Sequence, residues 1–199
     1  MKYVIIAVIL TSVLVQCKQK DKDNNAMGST NAISTDTTAE KPGYFPLTGY
    51  IKGQLLEIKN SGINPLSYIT VNGKKDSVWV KVEEMEKVFT EYIQPEIDSA
   101  TLAPYFTEKK FFDQTLNYIT LTYDPVKALP DSFQLQHFDV YIEPEKNNVE
   151  KIYMVKKLAD GKLRQLTWHT GKMARAITVS EDSTGKPRIE DEVLIKWKF

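Results

Sequence analysis

The chain has 199 residues, with 26 Lys and Arg against 26 Asp and Glu and a formal net charge of zero. That balance gives no long-range pull on nucleic acid or an anionic membrane, so nucleic-acid partners are not expected. A single cysteine excludes an internal disulfide and a cysteine-based zinc site.

The chain opens with a basic pair, Met1-Lys2, and an almost unbroken apolar run from Tyr3 to Val15. The run has the length of a signal-peptide core and falls short of the roughly 20 residues needed to span a bilayer. It ends at Leu14-Val15-Gln16-Cys17, and Cys17 is the one cysteine. This looks like a bacterial lipoprotein signal: residues 1–16 are removed and Cys17 carries the lipid. Leu14 sits three before the cysteine as that pattern wants, whereas Gln16 departs from its preference for Gly, Ala or Ser. The competing reading is an uncleaved or conventionally cleaved signal with an incidental cysteine. Several acyl chains on one residue anchor a protein stably, so the expected address is the cell envelope, at the outer membrane, with the membrane as a partner.

Residues 17–43 carry the lipidated cysteine and then Asn, Ser, Thr, Ala, Asp and Lys, with few large apolar groups. Such composition cannot bury enough surface to offset its ordering entropy. It reads as a tether reaching roughly 5–6 Å times the square root of its length. Asp36-Thr37-Thr38 is similar to a short O-glycosylation acceptor motif of Bacteroidota, which makes Thr37 a candidate modification site. Asp76-Ser77-Val78, Asp98-Ser99-Ala100 and Asp182-Ser183-Thr184 match the same loose pattern.

Residues 44–199 have the size of one domain. Leu47, Ile51, Leu55 and Ile58 recur at helical spacing behind Pro46, and Asn60-Ser61-Gly62 stops the helix. Ser67 to Val71 and Ser77 to Val82 are β-rich runs around Asn72-Gly73-Lys74-Lys75, a hairpin signal. A second helix is predicted from about Val82 to Ile97, with Met85, Val88, Phe89, Tyr92 and Ile93 on one face and Pro95 ending it. Thr107 to Phe112 reads as a short third helix. From Leu116 onward, runs of alternating polarity separated by turn residues read as strands: Ile119 to Tyr123, His137 to Ile142, Val149 to Leu158, Leu163 to His169, Met173 to Ser180 and Ile189 to Phe199. Short links imply antiparallel pairing. The expected fold is α+β: an antiparallel meander sheet with two to three helices packed on one face.

Several stretches carry a resemblance: Tyr44-Phe45-Pro46-Leu47-Thr48 with Lys52-Gly53-Gln54, Phe106-Thr107-Glu108-Lys109 with Phe112-Asp113-Gln114, Thr120-Leu121-Thr122-Tyr123-Asp124-Pro125, Asp139-Val140-Tyr141-Ile142, and Gln165-Leu166-Thr167-Trp168. On these the body resembles uncharacterised envelope lipoproteins of Bacteroidota. The resemblance implies an envelope address and no particular chemistry. The Lys-Gln-Lys-Asp-Lys-Asp run after Cys17 is similar to the charged tags that send some lipoproteins of that phylum to the cell surface, so the body faces the periplasm or the exterior.

Catalytic signals are sparse. The two histidines are His137 and His169. His137, Asp139 and Tyr141 project from one strand face, and His169 ends another strand, so their convergence would make an acid–base or metal site. The plainer reading is solvent-facing strand residues. Four Gly-Lys pairs (at 73, 161, 171 and 185) lack the upstream glycine and downstream Ser or Thr of a phosphate loop and read as turns. There is no Gly-x-Ser-x-Gly elbow, and neither a cofactor nor a catalytic residue is assigned. The aromatics, among them Tyr44, Phe45, Tyr50, Trp79, Phe111, Phe112, Trp168 and Trp197, are expected mainly in the core, with an apolar groove as the alternative use. The function expected is a non-enzymatic binding or scaffold module taking a protein partner or an apolar ligand such as a lipid. The alternative is an envelope hydrolase centred on His137, Asp139 and His169.

Overall fold

A computed structural model of the protein describes residues 43–198. The predicted signal, Cys17, Thr37, almost all of the tether and Phe199 lie outside the described residues.

The body is predominantly β. Nine strands form an open antiparallel sheet in the order β2-β1-β9-β8-β7-β6-β5-β4-β3. They are β1 (Leu66–Val71), β2 (Lys74–Trp79), β3 (Phe106–Asp113), β4 (Tyr118–Pro125), β5 (Leu135–Glu143), β6 (Asn148–Lys157), β7 (Leu163–His169), β8 (Met173–Glu181) and β9 (Pro187–Lys196). From β3 to β9 each strand pairs with the next, and the β1–β2 hairpin adds at the β9 side. Asn72 and Gly73 turn that hairpin with φ of 50° and 78°, the left-handed pair that a two-residue turn between twisted strands demands.

Helices are short apart from α1 (Leu47–Asn60), whose Leu47, Ile51, Leu55 and Ile58 are buried as the spacing predicts. The predicted Val82–Ile97 helix is broken into a 3₁₀ turn (Val82–Glu84), α2 (Met85–Val88) and α3 (Thr90–Ile93). The break has a local cause. Thr90 Oγ1 donates to the carbonyls of Glu86 at 3.0 Å and Lys87 at 2.8 Å, a side-chain competition that disturbs helices. Gln94, before Pro95, is extended, as proline requires of its predecessor. Asp98 and Thr101 cap α4 (Ser99–Leu102) reciprocally at 2.8 and 2.9 Å.

Residues 107–112 are strand, which corrects the predicted third helix. They form most of β3 and pair with β4 in unbroken register from Phe106↔Pro125 to Asp113↔Tyr118. Asp113 Oδ1 accepts the Thr115 and Leu116 amides at 2.9 and 3.1 Å and closes the turn between them. A hairpin partner so near in sequence outweighs the weak local helical pattern.

One sheet face packs under the helices. Phe138, Val140, Ile152, Met154, Leu166 and Trp168 are fully buried there against Leu47, Ile51, Met85 and Phe89. Tyr123 and Phe138 stack with centroids 4.0 Å apart. Trp168 and Trp197 lie 5.0 Å apart, and Phe89 meets both edge-on. Ile195 near the end of β9 and Trp197 just after it are buried in the core, whereas Ile189 at its start is exposed and Val193 is half-buried, so the predicted core strand holds only at its end. The aromatic expectation fails for Trp79, Phe111 and Phe112, which are half or more exposed on the edge strands β2 and β3. Every residue of β2 is exposed, and its Ser77 amide is taken by the Asp76 carboxylate at 2.7 Å.

Candidate functional site

Phe138 and Val140 point into the core, so His137, Asp139 and Tyr141 of β5 emerge together on the opposite, uncovered face. The register of β4 against β5 sets Thr122 opposite Asp139. There the side chains form a chain of contacts. His137 Nδ1 lies 2.9 Å from Asp124 Oδ1 and Nε2 lies 3.1 Å from Asp139 Oδ2. Thr122 donates to Asp139 Oδ1 at 2.7 Å and the Tyr141 hydroxyl to Oδ2 at 3.3 Å. Lys109 of β3 donates to Asp124 Oδ2 at 3.1 Å. Tyr153 of β6 sets its ring edgewise to the imidazole, centroids 6.3 Å apart.

The electrostatics follow from this packing. Partial burial works to lower the His137 pKa, but the hydrogen bonds and charges of Asp139 and Asp124 outweigh it and hold it above the ordinary value. Burial, then the neighbouring Asp139 charge, pushes the Tyr141 hydroxyl up to about 12. Lys151 lies over the Tyr141 ring at 3.7 Å.

His169 does not join them. Its register runs through Lys151 to Tyr141, two strands from β5 and four residues from His137. At about 4.8 Å per strand and about 3.3 Å per residue the two histidines stand roughly 16 Å apart. Burial, then the ammonium groups of Lys151 and Lys172, holds His169 below the ordinary value. Sequence reasoning found His137, Asp139 and Tyr141 as a set and missed Thr122 and Asp124. Their signal was present: both fall at alternate positions of β4, in the phase opposite to Tyr123. Among the described residues no group of three or more His, Cys, Asp or Glu is placed to hold a metal ion.

As arranged, both nitrogens of His137 face carboxylates. A general base needs a lone pair within reach of a substrate proton; in this arrangement each ring nitrogen lies beside a carboxylate oxygen. The cluster joins β3, β4 and β5 through their side chains.

A second feature lies on the helical side. α1 on one wall and the 3₁₀ turn with α2 and α3 on the other enclose a cleft of about 420 Å³. The buried side chains Leu55, Met85 and Ile93 line it. Lys52 and Lys59 stand on the α1 side, Glu83 and Glu86 on the other, and Lys52 also reaches Glu96 at 3.2 Å. Its volume falls in the range of small-molecule sites, and its lining mixes apolar with charged side chains. Among the described residues no helix is long and apolar enough to cross a membrane.

No family model, curated protein or solved structure matches this chain.

Proposed function

We propose that the protein is an envelope-anchored binding module: Cys17 carries the lipid, residues 18–43 act as the tether, and the body holds an amphiphile with an apolar chain between α1 and the α2–α3 segment. The cleft carries this reading. Leu55, Met85 and Ile93 give it a lining that water does not satisfy, while the Lys and Glu rim suits the polar end of a ligand. The engagement of both His137 nitrogens by carboxylates favours binding over hydrolysis.

Native mass spectrometry of the Cys17→Ser protein, coupled to lipid extraction, tests the cleft. A retained amphiphile, lost when Leu55→Trp fills the space, is the expected result. A fluorescent fatty acid that binds wild type and Leu55→Trp equally, with no retained mass, would exclude the cleft as the site.

The anchor has its own test. Cys17→Ser is expected to leave the membrane fraction or to keep its signal attached, and labelled fatty acid should vanish from it. Label persisting on that variant removes the lipidation reading.

A further inference from the structure

A neutral imidazole has one N–H and one lone pair, so it can donate to one carboxylate while its lone pair repels a second. His137 has a carboxylate oxygen within hydrogen-bond distance of each nitrogen: Asp124 of β4 at 2.9 Å and Asp139 of β5 at 3.1 Å. Both contacts are satisfied together when the ring carries both protons. The side chains are partly sheltered, with 28 % of His137 and 14 % of Asp139 exposed.

We propose that His137 is a proton-operated clasp on the uncovered sheet face: as an imidazolium it ties Asp124 to Asp139, and loss of one proton leaves a carboxylate facing a lone pair and loosens the β4–β5 region. This goes beyond the binding role and does not depend on it. Each element around the ring supports the assignment. On β3, Lys109 balances Asp124. On β4, Thr122 holds Asp139 in place. On β5, the Tyr141 hydroxyl donates to the same carboxylate. On β6, Tyr153, whose hydroxyl burial pushes upward, stays neutral beside the ring. Two carboxylates face the imidazole directly; of the nearby lysines, Lys109 pairs with Asp124 and Lys151 lies over the Tyr141 ring.

The direction of the pH dependence follows. A histidine held above its unfolded value contributes stability that is complete below about 6.5 and is lost as the pH rises through the folded value. Asp124 behaves in the opposite sense. Burial works to raise its pKa, but His137 and Lys109 hold it below the ordinary carboxylate value, so its contribution is lost on acidification. The clasp is closed between these limits.

The chain has two histidines, so an NMR titration of carbon-labelled imidazoles resolves both on the full chain in detergent micelles, with His169→Gln for assignment. Between about pH 5 and 9, which brackets an ordinary histidine, His137 is expected to titrate above His169. Asp124→Asn and Asp139→Asn should each lower the His137 midpoint, a shift that simple packing would not produce. The urea midpoint of wild type should fall as the pH rises above about 6.5, and in His137→Gln that fall should be lost. His137 titrating at or below His169, or unmoved by both amide variants, overturns the proposal. So does an equal fall in urea midpoint for His137→Gln. The order of the two histidine midpoints is read on the native aspartates, so that arm stands even if an aspartate variant fails to fold.

Discussion

Trp197→Ala is expected to lower stability by roughly 3–5 kcal/mol, the range for truncating a large buried ring. The side chain is 5 % exposed and packs on Trp168 and Phe89. It anchors the segment just after β9, where the Trp197 amide donates to the Lys172 carbonyl at 3.2 Å. A urea titration should show a lower midpoint with an unchanged slope. The companion variant sharpens the result. Among the described residues, the Trp197 Nε1 is buried with no hydrogen-bond partner, so Trp197→Phe forfeits volume but no bond and should cost about 1–2 kcal/mol. A phenylalanine variant as damaged as the alanine one would mean that the indole nitrogen matters, and an undamaged alanine variant would move Trp197 out of the core.

Lys156→Ala is the second large expected effect. Lys156 belongs to the buried face of β6 and is 4 % exposed. Its ammonium donates to the carbonyls of Glu91 at 2.5 Å and Gln94 at 2.8 Å, at the end of α3. Alanine leaves both carbonyls without their donor, a loss of about 1–3 kcal/mol for an orphaned buried acceptor, and should free the α3 end. Lys156→Met fills the space and isolates the loss of the two bonds. Burial pushes the lysine pKa down to about 8, below its unfolded value of about 10.4. Between those values the unfolded chain holds a proton that the folded chain lacks, so stability from this group rises with pH. That rise should be absent from Lys156→Met. The two groups change stability in opposite directions as the pH rises, so His137→Gln and Lys156→Met separate them in one pH series.

Much of the sheet could be read from the chain because polarity alternates cleanly where one face is covered and the other is wet. Phe138, Val140 and Ile142 against His137, Asp139 and Tyr141 is such a case. The reading failed where local pattern and distant pairing disagreed. Residues 107–112 have Lys, Glu and Phe in an order that suits a helix, but an eight-residue ladder with β4 decides the outcome. The Val82–Ile97 segment carried the correct buried face, with Met85, Phe89, Tyr92 and Ile93 inside, while Thr90 and Gln94 divided its backbone. Of the candidate site, the same-strand set was legible from period two alone. Asp124 needed the β4–β5 register, and the separation of His169 needed the order of three strands. The cleft was least legible, since Leu55, Met85 and Ile93 look like any core residues until the helices are seen to part above them.

The Asp76 carboxylate on the Ser77 amide has a bearing on crowding. Proteins held in a membrane plane, as proposed for this one, meet one another at high lateral density and in similar orientations. A bare outermost strand in that setting invites ribbon-like growth from one molecule to the next. β2 offers instead two lysines, an aspartate and an amide already occupied by its neighbour's side chain, so a second strand must displace a bond and bring charges together before it gains any. The charged first half of β2 thus opposes strand addition, while Val78 and Trp79 at its far end stay exposed.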